Sequence, residues 1–307
     1  MDASLVNSSQ IIIKTRACDY PCPVVRSFFD ESTFTVSYVV HDPVTLTAAI
    51  IDPVLNFDLS SGRTSTKSAE KIVVYVESEG LTVEWLLETH AHADHLTASR
   101  FLLNRLGGKL AIGRGIIEVQ RMFGEIFNAT SDFTRDGSQF DHLFGDDDAF
   151  EIGALKCRAL HVPGHTPADM CYVVGDALFC GDTLFMPDYG TARADFPGGD
   201  ARQLYHSIRR IFSLPDETRL FVCHDYKAPG REEFVWETTV GAERRTNVHA
   251  RDGVSEDEFV AARSARDATL AAPKLIWPSV QFNMRAGEFP PAESNGTCYF
   301  KIPLNMT

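Results

Sequence analysis

The stretch Thr89-His90-Ala91-His92-Ala93-Asp94-His95-Leu96-Thr97 places three histidines and an aspartate within six residues. Imidazole and carboxylate are the ligand types that divalent transition metals take, and alternate spacing lets one loop aim several of them at a point. Apolar packing gives no reason for such a run. Residues of the same kind recur downstream, each at the end of an apolar segment: His165 in Val162-Pro163-Gly164-His165, Asp182 in Cys180-Gly181-Asp182, and His224 in His224-Asp225-Tyr226. A lone histidine or Gly-Asp turn is commonplace, so it is the joint pattern that points to a metal centre.

Short strands and helices must carry these turns. The apolar pattern predicts a strand over 81–88 and an amphipathic helix over 96–106, capped near Asp94. Residues 34–40 and 46–51 read as a hairpin around His41-Asp42-Pro43, 56–66 as a polar loop, and 68–79 as a helix burying Ala69, Ile72, Val73 and Val76. A strand over 109–112 precedes a helix over 116–127 that buries Ile116, Val119, Gln120, Phe123 and Phe127. The acidic segment 132–148 does not match the spacing of a calcium loop and reads as a solvated hairpin. Short strands follow at 150–152, 155–162, 170–174 and 177–180, then a helix over 200–212 capped by Asp200 and a strand over 219–223. Ser255-Glu256-Asp257-Glu258 opens a helix through about residue 267. The last forty residues are punctuated by prolines and are expected to wrap the domain. All the candidate ligands sit on loops at strand ends, where a rigid scaffold usually builds its sites.

The chain has 307 residues, 44% of them hydrophobic and 21 of them phenylalanine, enough for a sizeable core. Against 42 acidic residues stand 29 basic ones, a net charge of −13 with no basic run, which excludes nucleic acid as a partner. Seven cysteines form no regular framework, Cys18 and Cys22 included, and fit a reducing compartment. No apolar stretch reaches membrane-spanning length, so no membrane association is expected. The expected location is the cytoplasm, or the mitochondrial matrix in a eukaryote, and a homodimer is compatible with the sequence.

The signature H-x-H-x-D-H at 90–95, followed by His165, Asp182 and His224, resembles the metallo-β-lactamase superfamily over residues 34–226. That resemblance implies an α/β fold, a four-layer αββα sandwich with a metal site along one edge. The catalytic domain would span 1–240, with a helical, proline-punctuated C-terminal extension over 241–307 packed on it. Fold alone does not fix chemistry. Arg193-Ala194-Asp195-Phe196, Leu204-Tyr205-His206-Ser207-Ile208, His224-Asp225-Tyr226, Glu258-Phe259-Val260 and Asn283-Met284-Arg285-Ala286-Gly287 are similar to the persulfide dioxygenase family. Glyoxalase II enzymes share the metal motif, but the Lys-Phe-Tyr glutathione segment expected in them is absent, and Arg193-Ala194-Asp195-Phe196 occupies that region.

The narrower resemblance implies one Fe(II) per chain held by His90, His165 and Asp182, with three positions left for a persulfide sulfur and O2. Glutathione persulfide would be oxidised to sulfite and glutathione. His92, Asp94, His95 and His224 would form a second, usually empty site. The same residues would complete a centre of two Zn(II) ions with Asp182 bridging, suited to hydrolysing a thioester, and the motif leaves both open. Arg193 is the leading cation beside the site; Tyr226, Lys227 and Arg231 are further candidates for the carboxylates of glutathione. Cys180 and Cys223, each preceding a ligand, are expected to face the core. Segments 185–191 and 132–148 look longer than in the family and are expected to border the site mouth.

Overall fold

The computed structural model describes residues 3–129 and 133–305. Along the chain run α1 (Ala3–Arg16), β1 (Val24–Asp30), β2 (Thr35–His41), β3 (Thr47–Ile51), β4 (Val54–Asp58), β5 (Arg63–Ser65), α2 (Lys67–Ser78) and β6 (Thr82–Leu87). Then come β7 (Leu96–Thr97), α3 (Ser99–Leu106), β8 (Lys109–Gly113), α4 (Ile116–Ile126), β9 (His142–Phe144), β10 (Asp148–Ile152), β11 (Leu155–His161), β12 (Met170–Val174) and β13 (Ala177–Phe179). The chain continues with α5 (Ala201–Ile211), β14 (Arg219–Phe221), β15 (Glu237–Thr239), α6 (Val240–Thr246), α7 (Glu256–Asp267) and α8 (Ile276–Asn283).

One six-stranded sheet has the order β1-β2-β3-β6-β8-β9, the other β10-β11-β12-β13-β14-β15, and β5-β4-β7 make a small third. In the first sheet the β1–β2 and β2–β3 pairs are antiparallel, whereas β3, β6, β8 and β9 run parallel. Parallel neighbours need crossovers, which α2, α3 and α4 supply. Alternation along the strands sorts side chains into layers. Val36, Tyr38, Val40, Ile51 and Leu87 of the first sheet meet Phe150, Leu155, Tyr172 and Phe179 of the second in a dry inner layer. The opposite face of the first sheet, with Val39, Ile50 and Leu86, packs on Ile72, Leu102, Phe123 and Val280 of the helices. The outer face of the second sheet packs Val173, Leu178 and Leu220 against Ile12, Leu204, Ile208 and Phe259. This is the αββα order, with each sheet buried on both faces. No helix among the described residues is long and apolar enough to cross a membrane.

Several elements differ from the sequence expectation. α1 has no clean amphipathic stripe: Ile11 and Ile12 are buried while Ile13 is 58% exposed, so periodicity could not reveal it. Segment 56–66 is not a loop, because β4 and β5 pair as a hairpin. The helix over 96–106 begins only at Ser99, after β7 pairs with β4, and its N-cap is Ala98, not Asp94. Asp94 is instead engaged with histidines. Residue 132 lies outside the described residues; the rest of the acidic segment is no hairpin, since β9 joins β8 in parallel and Asp141 accepts from the Leu110 amide. Gln120, a polar residue on the apolar face of α4, is buried and donates to the Met284 carbonyl at 2.9 Å.

The C-terminal extension packs on both halves. α7, opened by the expected capping box of Ser255 and Glu258, lies against α5, and α8 lies against β7. The proposed boundary at 240/241 falls inside α6. Glu243 on that helix is buried, and burial raises its pKa to about 8 despite a 2.7 Å bond from the Asn247 amide. A carboxyl raised above its ordinary value of 4.5 supports folding below that value and withdraws support as pH climbs through about 8. Glu243→Gln should therefore leave stability near pH 4 unchanged and raise it by about 1–3 kcal/mol at pH 8.5. Thermal unfolding at the two pH values checks this; equal effects at both would refute it.

Candidate metal centre

Each ligand-type side chain sits where a strand stops and a constrained turn begins. Asp52 directly follows β3, and its φ of +48° turns its carboxylate under the next loop. Asp52 accepts from the Thr89 amide at 2.7 Å and hydroxyl at 2.8 Å, and bonds His92 Nε2 at 3.0 Å. The turn before His165 needs Gly164: at φ +146°, a Cβ would lie 2.3 Å from the Leu204 backbone. Gly181, before Asp182, has φ +51° and leaves room for Thr89 Oγ1, 2.7 Å from where a Cβ would be. Between the sheets, Tyr38 donates to the Val222 carbonyl and Tyr172 to the Glu88 carbonyl, fixing the strand ends that carry His224 and His90.

These turns converge. The donor atoms of His90, His165 and Asp182 all lie within 4.8 Å of one another, and so do those of His92, Asp94, His95 and His224. Asp182 Oδ2 is 3.9 Å from His90 Nε2 and 3.6 Å from His165 Nε2, while its Oδ1 is 3.4 Å from His224 Nε2. The two groups therefore share Asp182 as their common edge. His224 Nε2 is also 3.4 Å from Asp94 Oδ2.

Hydrogen bonds on the far nitrogens set the rings. His165 Nδ1 donates to the Arg193 carbonyl at 2.7 Å, and His90 Nδ1 donates to Thr89 Oγ1 at 3.0 Å, which itself donates to Asp52. Such outer partners fix a ring's tautomer and aim its other nitrogen. The aimed atoms have no protein partner: His90 Nε2, His92 Nδ1, His95 Nε2, His224 Nε2 and Asp182 Oδ1 are buried without a hydrogen bond. Buried polar atoms are otherwise nearly always satisfied, so a cluster of orphaned lone pairs on imidazole and carboxylate fits a bound metal ion.

Charge matches ligation at His90, His95 and Asp94. Burial and the neighbouring His92 and His165 hold His90 well below the usual imidazole range, so it is neutral and able to ligate. Burial and His92 lower His95 as well. Burial opposes ionisation of Asp94, but His224 and His95 outweigh it and hold that carboxyl well below its usual range. His92 is different: although burial works against it, Asp52 and then Glu88 raise it to about 9. Glu88 is itself raised to about 7 by burial and held by Thr97 and Ser99.

A cavity of about 740 Å³ opens over Asp94, His165 and Asp182. Tyr226 lines it and stacks on His224 with ring centroids 5.5 Å apart. Arg193 also lines it, but its guanidinium is occupied by Asp195 at 2.5 and 2.8 Å and by the Ala271 carbonyl. Its main-chain oxygen is the part that touches the centre, through His165. Lys227 and Arg231 do not line the cavity. Lys227 lies 4.1 Å over the Phe234 ring, and Arg231 is bound by Asp188 and Asp225, because the chain turns away after Tyr226. Phe185 and Tyr189 of the longer 185–191 segment line the cavity, whereas no residue of 133–148 does. Cys180 packs in the outer core as expected. Cys223 departs from expectation: its Sγ lies within 4.8 Å of donors on Asp182 and His224. β13 and β14 pair Phe179 with Phe221, so Cys223, two residues past Phe221, points inward with it.

Asp52, Glu88, Thr89 and Asn283 escaped the sequence reading as parts of the centre. Asp52 carried a usable signal, an acid ending an apolar strand before Pro53. Asn283 on α8 stood out only as the first residue of a family-like segment, with no role attached, yet it donates to the His92 and His95 carbonyls at 2.8 Å each and accepts from the Thr97 amide at 2.9 Å.

Comparison with known proteins agrees with this geometry. A family model described as the metallo-beta-lactamase superfamily matches residues 34–224. A probable metallo-hydrolase of Burkholderia pseudomallei is 55% identical over 92% of this chain and 99% of its own length. The mitochondrial persulfide dioxygenase ETHE1 of Bos taurus is 30% identical over 88% of this chain and 91% of its own. The crystal structure of ETHE1 from Myxococcus xanthus superposes with a TM-score of 0.68 at 31% identity, covering 86% of this chain and all of that one. Two ligand-bearing sheets, the convergent turns and the extent of these matches together make this chain a member of the metallo-beta-lactamase superfamily.

Proposed function

We propose that the protein is an iron-dependent persulfide dioxygenase, converting glutathione persulfide, O2 and water into glutathione, sulfite and two protons. The observation that carries this reading is the separate grouping of His90, His165 and Asp182, two imidazoles and one carboxylate, the donor set that suits non-haem Fe(II) with open positions. The similarity to the persulfide dioxygenase ETHE1 over most of both chains supports it. Fe(II) would supply the redox chemistry and the sites where persulfide sulfur and O2 meet. The chain's own part is orientation and shelter. Thr89 and the Arg193 carbonyl hold the two rings with their lone pairs inward, Asp52 anchors Thr89, and the aromatic wall of Phe185, Tyr189 and Tyr226 limits water at the centre.

A second reading, a hydrolase of thioesters with two Zn(II) ions, is favoured by two observations: His92, Asp94, His95 and His224 form a complete second group beside Asp182, and the 55% identical relative is described as a probable metallo-hydrolase. Zinc there would lower the pKa of a bound water. Protein purified without oxygen and analysed for metal separates the two. About one iron per chain, with one O2 consumed per sulfite formed from glutathione persulfide, is the expected result. Two zincs, hydrolysis of S-lactoylglutathione and no oxygen uptake would establish the alternative in its place.

A further inference from the structure

The cations around the cavity divide into two kinds. Arg193 is forked onto Asp195 and Arg263 onto Asp267, so their charges are already balanced within the protein. Arg266, in the last turn of α7, and Lys274, in the segment leading to α8, line the same cavity. Among the described residues neither is in an ion pair, and both are exposed to solvent. Asp58 also lines the cavity and accepts from the Ser60 hydroxyl and the Ser61 amide at 2.7 Å each.

A chain of net charge −13 repels an anionic ligand at long range, so binding one needs local positive charge that no internal carboxylate has cancelled. Only this pair meets that condition among the cavity-lining cations. An arginine can fork onto a carboxylate while a lysine offers a movable point charge. The same cavity is lined by His165 and Asp182 of the centre and by the apolar or aromatic side chains of Phe57, Tyr226 and Leu275. A volume of about 740 Å³ suits a ligand of a few hundred daltons.

We propose that Arg266 and Lys274 form a carboxylate-docking subsite, which selects small thiol carriers bearing carboxylates remote from the sulfur and places that sulfur at the centre. The identity of the reacting sulfur rests on the persulfide dioxygenase reading; the docking of the carrier does not. This subsite replaces Lys227 and Arg231 as the partner of the carrier's charged end.

The test uses Arg266→Gln, Lys274→Gln and the double variant of the metal-loaded protein, with oxygen uptake on glutathione persulfide and on the persulfide of glutathione diethyl ester. At exposed positions each charge contributes modestly, so each single variant should raise KM about 3-fold to 10-fold and the double about 10-fold to 50-fold, with kcat within about 2-fold. The ester, lacking both carboxylates, should start with a raised KM and change less than about 2-fold further. Raising ionic strength should weaken binding of glutathione persulfide to the wild type but not to the double variant. An unchanged KM in the double variant, or equal losses on acid and ester, would overturn the proposal. Calorimetric binding of glutathione itself keeps the two readings apart. If the wild type consumes no O2 with any persulfide, about tenfold weaker binding to the double variant still supports the subsite. Equal affinity, or no binding to the wild type, removes it.

Discussion

Asp182→Ala is expected to strip the protein of its metal while leaving the apo fold intact. The carboxylate is buried and its Oδ1 makes no hydrogen bond in the protein; its near neighbours are His90, His165 and His224. Truncation therefore removes a donor without breaking a structural bond. Metal content should fall below about a tenth of the wild type and turnover by more than about a thousandfold, equivalent to roughly 4 kcal/mol of barrier. The melting temperature of the metal-free variant should match that of metal-free wild type, and only the wild type should gain stability when iron is restored. Retention of full iron and full activity would show that the centre is not where these side chains meet.

Asn283→Ala should be the most damaging single change outside the ligands themselves. It leaves the His92 and His95 carbonyls and the Thr97 amide without their partner, all within a buried loop. An unsatisfied buried group costs about 1–3 kcal/mol, and after partial repair by water the sum should be about 3–5 kcal/mol. Asn283→Asp discriminates between volume and bonding. It keeps the size and the acceptor for Thr97 but turns a carboxylate oxygen toward two carbonyls, so it should cost at least as much as alanine. Urea unfolding of the metal-free proteins gives the stability change, and iron affinity by chelator competition gives the effect on the loop. An aspartate variant as stable and as tightly metallated as the wild type would show that the three bonds are incidental.

What the sequence disclosed and what it hid follow from the range of the forces involved. The ligands were legible because chemistry demands particular side chains and because turns after strands leave local marks, such as the glycines before His165 and Asp182. The layers were legible because strands buried on both faces and helices with one apolar stripe differ in period. Asn283 was invisible as a support because it lies 191 residues from His92 and nothing near it in sequence records that contact. Lys227 and Arg231 misled for the converse reason: they follow a ligand closely, yet Lys227 adopts φ +60° and the chain leaves the cavity there. Cys223 misled because its direction depends on pairing with β13, a register no single strand reveals. Arg266 and Lys274 are ordinary helix-end and loop cations until the cavity they line is seen.

The donors come from both halves of the sandwich: His90 to His95 follow β6 of one sheet, whereas His165, Asp182 and His224 follow β11, β13 and β14 of the other. An ion held by both acts as a rivet through the interface, and it can be gripped only when the halves are closed. Occupancy and closure are then linked, and free metal at a hundred times its dissociation constant adds about 2.7 kcal/mol against opening. Chains starved of metal will therefore open more often and be digested first in a limited-proteolysis time course, so that scarcity of the ion thins the population rather than leaving idle enzyme behind.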